Sequence, residues 1–244
     1  MSGHSKWSQI KRQKQSADQK RGNLFTKLSN AITVAARQGG GDQSTNFKLR
    51  LATEKAKQAN MPNENIERAI NKGAGSLESI KIEEVIYEGF GPEGIALVIE
   101  ALSDNKNRTT SEIRNILTKY GGNLGNAGSV LWMFEQRGVL RISREILDTI
   151  KDKQDLELKI IDAGAQDFEE EPEGLVIYTK PELLHQVKDY LENKNITFET
   201  TEVELVPKNK TKIENETTKE KLNNIYSELE ENDSINNYYT NAEI

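Results

Sequence analysis

The sequence predicts an α+β multidomain protein in which an all-α helical domain precedes two ferredoxin-like α+β domains, the middle one discontinuous. Apolar residues recur every three or four positions as far as Gly73, which is the spacing of amphipathic helices. From Val85 onward the apolar period falls to two, the period of strands. Residues 138–205 then follow the order strand, helix, strand, strand, helix, strand, which is that of a ferredoxin-like domain. The predicted domains are 1–76 (basic arm and helical domain, together called the head), 77–136 plus 207–244 (a discontinuous middle domain) and 137–206 (an inserted βαββαβ domain).

The head begins with a stretch that we expect to be a mobile basic arm. Residues 1–20 are rich in Lys, Arg, Gln and Ser, and Trp7 and Ile10 are isolated apolar residues among them. After the arm the spacing predicts three helices, since glycines end helices and proline suits a first helical turn. The helices run from Asp18 to the glycines at 39–41, from about Asn46, and from about Pro62 to Gly73.

The middle domain is expected to start with strands around Val85 and at Ile95–Leu102. A capping box of Thr109 and Glu112 predicts the start of a helix, which ends at Gly121. Alternation of apolar residues from Val130 to Phe134, with Trp132 between them, predicts a further strand.

The inserted domain and the C-terminal tail complete the prediction. The inserted elements are Val139–Ser143, a helix ending near Ala163, Gln166–Glu169, Leu175–Thr179, Glu182–Leu191 and Phe198–Leu205. Lys208–Lys221 is predicted to be a polar crossing segment. A helix through Leu222 and a strand near Ile235–Tyr239 are too small to fold alone, so we expect them to dock back onto residues 79–136.

The charge is divided unevenly along the chain. Over 244 residues, 33 basic and 39 acidic side chains give a net charge of −6 and a pI near 5.3. Residues 1–72 hold 14 basic and 5 acidic side chains, which makes them +9, and residues 73–244 are −15. Such asymmetry indicates a polyanion partner for the basic part.

Several classes of site are excluded or disfavoured by composition. The chain has no cysteine, so disulfides and thiolate sites are excluded and a cytoplasmic location is expected. Neither a signal peptide nor a membrane span is predicted. The two histidines, His4 and His185, cannot form a catalytic relay or a multi-histidine metal site. The acidic run Asp167–Glu173 is read as a solvated strand end. We therefore expect no enzyme activity, cofactor, metal or small-molecule substrate.

The basic head is the feature that indicates function. Its density of cations favours sequence-independent binding to nucleic acid by release of counterions. Trp7 could stack on an unpaired base or pack against the helical head, and the sequence leaves both open. In the otherwise acidic remainder, Lys106, Arg108 and the glycine loop near Gly121 could approach phosphate, Arg108 together with the amides of a helix start. The candidate contacts are Lys6, Trp7, Lys11, Arg12, Lys14, Lys20, Arg21, Lys27, Arg37, Lys48, Arg50, Lys55, Arg68, Lys72, Lys106 and Arg108.

Ordered motifs along nearly the whole chain resemble the YebC family. They include Gly3-His-Ser-Lys-Trp7, Lys20-Arg-Gly, Phe25-Thr-Lys-Leu28, Val34-Ala-Ala-Arg37, Gly39-Gly-Gly-Asp42, Asn60-Met-Pro62, Ile66-Glu-Arg-Ala-Ile70, Lys72-Gly-Ala-Gly75, Tyr87-Glu-Gly-Phe-Gly-Pro92, Asp104 to Thr109, Gly121-Gly-Asn-Leu-Gly125 and Gly128-Ser-Val130. The resemblance implies three domains and nucleic-acid binding without catalysis.

The resemblance leaves the physiological target open. It implies first a DNA-binding transcriptional regulator, and as the alternative a ribosome-associated factor that binds ribosomal RNA or tRNA and relieves stalling at proline-rich stretches. A third reading is a protein-interaction scaffold whose basic head binds acidic proteins, since fold alone does not decide function. A monomer is favoured.

Overall fold

The computed structural model describes residues 6, 7, 10, 18–75 and 82–244, with the backbone alone for 18–21. A helical head is followed by two domains built on antiparallel sheets, so the predicted fold class is confirmed. Separate clusters of buried apolar residues fill the head, the middle domain and the inserted domain. Among the described helices, none combines the length and apolarity that crossing a bilayer requires.

Helices and strands follow one another in this order. The helices are α1 (Asp18–Gly39), α2 (Phe47–Gln58), α3 (Asn63–Ala74), α4 (Lys106–Lys119), α5 (Arg144–Leu147), α6 (Lys153–Asp162), α7 (Leu184–Glu192) and α8 (Glu216–Glu231). The strands are β1 (Glu83–Phe90), β2 (Ala96–Ser103), β3 (Asn123–Leu124), β4 (Phe134–Ser143), β5 (Asp167–Glu171), β6 (Gly174–Thr179), β7 (Thr200–Pro207), β8 (Thr211–Lys212), β9 (Ile235–Thr240) and β10 (Ala242–Glu243).

The three helices of the head are joined by a cap and a close contact. The side chain of Asn46 accepts a hydrogen bond from the backbone N of Leu49 at 3.0 Å and donates to the carbonyl of Ala35 at 2.9 Å. It therefore starts α2 and fixes it against the end of α1. Gly73 lets α3 approach α1 closely, because a Cβ at this position would lie 2.2 Å from the carbonyl oxygen of Thr33.

The middle domain has a four-stranded sheet in the order β3-β1-β2-β9. Since β9 pairs with β2, this sheet is built from two stretches of chain separated by the inserted domain. Helices α4 and α8 contribute Leu117, Leu222 and Tyr226 to the core beneath Ile99. The predicted discontinuity of the middle domain is thus observed.

Two local predictions in the middle domain are wrong. Residues 131–133 form a short 3₁₀ turn, so the strand through Trp132 does not exist and β4 starts at Phe134. The cap of α4 is Asn105, not a Thr109–Glu112 box, and the hydroxyl of Thr109 bonds instead to that of Ser103 at 2.7 Å. The predicted polar crossing segment, 208–221, contains β8, which pairs with β10, and the start of α8 at Glu216.

The inserted domain has a sheet in the order β5-β6-β4-β7, with α6 and α7 packed on one face. The opposite face presents Val139, Val176 and Tyr178, and it is covered by Trp7 and Ile10. These two residues were expected in a mobile arm, but they are buried, with 6% and 7% of their surfaces exposed. A sheet face of one domain therefore provides the apolar contact that the arm lacks by itself.

Candidate nucleic-acid interface

Part of the predicted interface lies outside the described residues. This applies to Lys11, Arg12 and Lys14, and to the side chains of Lys20 and Arg21, and His4, which is not a candidate contact, also lies outside them. The structure describes the remaining eleven candidates. They fall into three groups: cations that face other domains, an enclosed tryptophan, and cations on the surface.

Lys6 and Lys55 face inward and share one carboxylate of the inserted domain. Glu202 lies 2.7 Å from Nζ of Lys55 and 3.1 Å from Nζ of Lys6. Burial opposes ionisation of Glu202, but the two ammonium groups outweigh it and hold the pKa of this carboxyl far below its ordinary value. Burial likewise opposes the charge of Lys55, yet Glu202 raises the pKa of Lys55 overall. Both lysines hold the head to the inserted domain and do not face a phosphate in this arrangement.

Lys27 and Arg37 connect α1 to the middle domain. Nζ of Lys27 donates to the carbonyl of Glu230 at 2.5 Å, and the guanidinium of Arg37 donates to the carbonyl of Ile82 at 2.7 Å. Burial lowers the pKa of Lys27 to about 8, although Asp233 and Glu230 act in the opposite direction. Lys27 is therefore a contact between domains and not an exposed cation.

Trp7 is enclosed at the face of the inserted sheet. Its Nε1 donates to Oε2 of Glu171 at 2.9 Å, in a buried hydrogen bond. The ring packs with Val139, Val176 and Tyr178. Of the two alternatives for Trp7, packing is what the structure shows, although the indole packs on the inserted domain and not on the helical head. Its ring faces are not open to a base in this conformation.

Four candidate cations lie further out on the head. Lys48 pairs with Glu84 at 3.0 Å, and Arg50 lies 5.5 Å from the centroid of the Phe47 ring. Arg68 and Lys72 are exposed one turn apart on α3. Within the described part of the chain, neither faces a carboxylate at ion-pair distance.

The start of α4 carries the two candidates of the middle domain. Nζ of Lys106 lies 2.5 Å from Glu83, and the guanidinium of Arg108 lies 2.7 Å from Asp104. The side chain of Asn105 accepts a hydrogen bond from the backbone N of Arg108 at 3.1 Å. The helix start that we expected to receive an anion is thus capped by the chain itself. The two ion pairs are exposed, so they are weak and a phosphate can compete for their cations.

The acidic run at 167–173 is more ordered than a solvated strand end. Glu171 is buried, with 2% of its surface exposed, and Glu170 lies 2.8 Å from Arg144 and 3.0 Å from Lys153. Across the described residues, no group of three or more His, Asp or Glu side chains is arranged to hold a metal ion.

A cleft of about 460 Å³ separates the head from the inserted domain. Its wall includes Lys55 and Lys188 together with Glu54 and Glu202. Each of these lysines is paired, since Lys188 lies 2.7 Å from Glu54. The cleft therefore carries little excess positive charge for binding phosphate.

One exposed aromatic residue was missed by the sequence analysis. Trp132 has 67% of its surface exposed, in the turn that precedes β4. Beneath this turn lies the carboxylate of Glu88, which accepts hydrogen bonds from the backbone N of Gly128 at 2.6 Å and of Val130 and Leu131 at 2.7 Å each. Burial opposes ionisation of Glu88, but the three donors outweigh it and lower the pKa of its carboxyl. Strand β1 thus fixes the loop that carries Trp132.

The two stretches of chain that meet near Trp132 are free of acidic residues, which is visible in the sequence. Residues 113–134 and 205–213 contain no acidic residue, in a part of the chain that is otherwise strongly acidic. Pairing of Phe134 with Pro207 brings the two stretches side by side. Nζ of Lys208 donates to the backbone carbonyl of Trp132 at 2.8 Å, so a cation lies against the backbone of this residue.

Comparison with known proteins gives matches over nearly the whole chain. A family model described as the TACO1/YebC protein N-terminal domain matches residues 5–76, and one described as the TACO1/YebC second and third domain matches residues 82–242. A probable transcriptional regulatory protein of Natranaerobius thermophilus is 48% identical over 244 residues, covering 100% of this chain and 97% of its own. One of Thermoanaerobacter pseudethanolicus is 49% identical, covering 100% and 98%. The crystal structure of a conserved hypothetical protein from Aquifex aeolicus has a TM-score of 0.84 at 44% identity, covering 93% of this chain and 92% of that one.

Proposed function

The chain belongs to the TACO1/YebC family, and from this premise we propose that it is a regulatory protein that binds nucleic acid through its basic head. The name probable transcriptional regulatory protein, carried by its relatives, supports a role in regulation. We propose DNA as the target, a cytoplasmic location and no catalytic activity.

The observation that carries this proposal is the separation of charge between +9 in residues 1–72 and −15 in the remainder. Lys6, Lys27 and Lys55 are engaged by other domains, so we propose that the polyanion is bound by other basic residues of the head, those of the arm and of the exposed face of α3 among them. Phosphates bound there release condensed counterions, which favours binding without base contacts. The acidic domains repel the same polyanion except around Lys106, Arg108 and the glycine loop near Gly121, and so direct it mainly to the head.

A non-catalytic role agrees with the side chains that are present. The chain has no cysteine, and its two histidines are His4 and His185. Nδ1 of His185 lies 3.2 Å from Asp189 one turn along α7, at the surface. An exposed pair of this kind stabilises a helix slightly and needs no catalytic explanation.

Reversing the charge of the arm tests the proposal. In the triple variant Lys11→Glu, Arg12→Glu, Lys14→Glu, the intact protein should lose binding to a DNA or RNA fragment in a gel-shift or filter assay. The expected loss is about a hundredfold or more, because three phosphate contacts are removed and replaced by repulsion.

A second triple variant controls for net charge. Lys151, Lys180 and Lys221 are exposed lysines of the two α+β domains, and changing them to Glu alters the total charge equally. This control should bind like the wild type. Equal affinity of the arm variant and the wild type would refute the proposal, and equal losses in both variants would show that location does not matter.

A second candidate function is a ribosome-associated translation factor that binds ribosomal RNA or tRNA. The exposed Trp132 favours it, because folded RNA offers unpaired bases in its loops. Crosslinking in cells, followed by sequencing of the attached nucleic acid, separates the two. Promoter DNA supports the transcriptional role, and ribosomal RNA supports the translational one.

A further inference from the structure

We propose that Trp132 is a stacking platform for an unpaired nucleobase, and that Lys208 beside it contacts the adjoining phosphate. The inference rests on the proposed function, since it names a second contact for the nucleic acid that the head binds. It also names the form of the ligand, because bases inside a duplex are stacked on one another and expose no face to an indole.

The first support is the way in which Trp132 is held outward. Val130 and Phe134, two positions away on either side, are buried with 0% and 5% of their surfaces exposed. The polar atom of the indole is already satisfied, since Nε1 donates to the carbonyl of Ser129 at 3.1 Å. A large aromatic side chain is thus left open while its loop is fixed by Glu88. Little conformational entropy remains to be lost when a base stacks on it.

The second support is the local charge. Residues 113–134, most of which precede Trp132, contain Arg114 and Lys119 and no acid, and 205–213 contain three lysines and no acid. The nearest acid along the chain is Glu135, and it is paired with Arg137 at 2.9 Å. Lys208 is exposed and uses its ammonium group to contact the carbonyl of Trp132. Among the described residues, no carboxylate pairs with Lys208. A cation held at the backbone of a residue whose indole is open supplies both the charge and the aromatic face that proteins use to bind single strands.

The distribution of tryptophan gives a direct readout. The chain has two tryptophans, and Trp7 is buried whereas Trp132 is exposed. Titrating the full-length protein with oligouridine or oligothymidine of about 12 nucleotides, within the usual range of site sizes, should quench the emission of Trp132. The same oligonucleotide should protect that emission from acrylamide. The two oligonucleotides distinguish RNA from DNA as the source of the base.

Substitutions separate stacking from a general surface effect. Trp132→Ala should weaken binding to the single strand roughly 5-fold to 150-fold, as expected for loss of one stacked base. Trp132→Phe should retain most of the affinity but lose the quenching, because phenylalanine can stack and is not the fluorophore. Lys208→Gln should reduce the slope of log affinity against log salt by about 0.7, which is one phosphate contact on a single strand. Leu158→Ala, at another apolar residue with 61% exposure, is the matched control and should change nothing.

The outcomes distinguish this inference from the proposed function. If the wild type binds the oligonucleotide without quenching, and Trp132→Ala binds equally well, the stacking role is refuted and the head remains the binding site. If Trp132→Ala weakens binding to blunt duplex as much as to single strand, stacking is also refuted. If the wild type binds neither oligonucleotide nor duplex, the proposed function fails and the stacking role fails with it.

Discussion

Replacing Glu88 with Gln should loosen the loop that carries Trp132 without changing the size of the side chain. The carboxylate accepts three backbone N–H bonds of 2.6, 2.7 and 2.7 Å. A carboxamide can keep its oxygen towards Val130 and Leu131, but its amino group then faces the N–H of Gly128. One acceptor is therefore lost, and two bonds change from charged to neutral acceptors.

The magnitude follows from these three bonds. Each bond that changes from a charged to a neutral acceptor loses about 1 kcal/mol, and the partly buried N–H of Gly128 without an acceptor costs about 1–2 kcal/mol. A neutral amide is easier to bury than a carboxylate, which offsets part of the loss. We expect the free energy of unfolding to fall by about 2–3 kcal/mol at pH 7 in urea denaturation followed by circular dichroism.

The pH dependence gives an independent check. The folded pKa of Glu88 lies below its ordinary value of 4.5, so the stabilisation is complete above that value and is lost as the pH falls through the folded pKa. The difference between wild type and Glu88→Gln should therefore shrink below about pH 4.5. Glu84→Gln, on the same strand, is the control, because its exposed pair with Lys48 contributes less than about 1 kcal/mol. A loss for Glu88→Gln no larger than that of the control would refute this account of the loop.

Three further changes test the contacts between elements. Gly73→Ala should reduce the free energy of unfolding by about 1–3 kcal/mol in urea denaturation, because the added Cβ would lie 2.2 Å from the carbonyl oxygen of Thr33. This clash outweighs the better helix propensity of alanine. Arg141→Met should lower the free energy of unfolding by about 3–5 kcal/mol, because it leaves the buried carboxylate of Glu204 unpaired. The double variant Arg141→Met, Glu204→Leu should recover most of the lost stability in the same denaturation assay. Lys27 has a folded pKa of about 8 against an ordinary 10.5, so the unfolded chain binds more protons than the folded one between these two pH values. The free energy of unfolding of the wild type should therefore rise over that range, by up to about 3 kcal/mol relative to Lys27→Met. Urea denaturation at each pH measures this difference.

Local sequence signals were sufficient for most of the fold. Asn46, Pro62 and the glycines at 39–41 lie at the helix ends that their chemistry predicts. The order of elements in the inserted domain also follows from the apolar periods. Trp132 is the instructive exception, because alternation from Val130 to Phe134 imitates a strand. The backbone N–H groups that a strand would use in its ladder are taken by Glu88, more than forty residues earlier in the chain.

The positions of the candidate contact residues depended on distant partners. The hydrogen bond between Trp7 and Glu171 joins residues 164 apart, and the lysines that face inward are held by carboxylates and carbonyls of other domains. A cation count along the chain cannot distinguish such lysines from exposed ones. The sequence did carry one signal, namely the long acid-free stretches, one of which contains Trp132, whereas the exposure of this tryptophan is a finding of the structure.

The salt dependence of nucleic-acid binding by the intact protein tests the central claim most directly. With about six phosphates contacted by the head, affinity should fall about a thousandfold between about 50 and 200 mM salt. The arm variant with Lys11, Arg12 and Lys14 changed to Glu should show a much shallower slope, and the control variant at Lys151, Lys180 and Lys221 should keep the full slope. An affinity of the wild type that does not change with salt would contradict a cationic head that binds a polyanion.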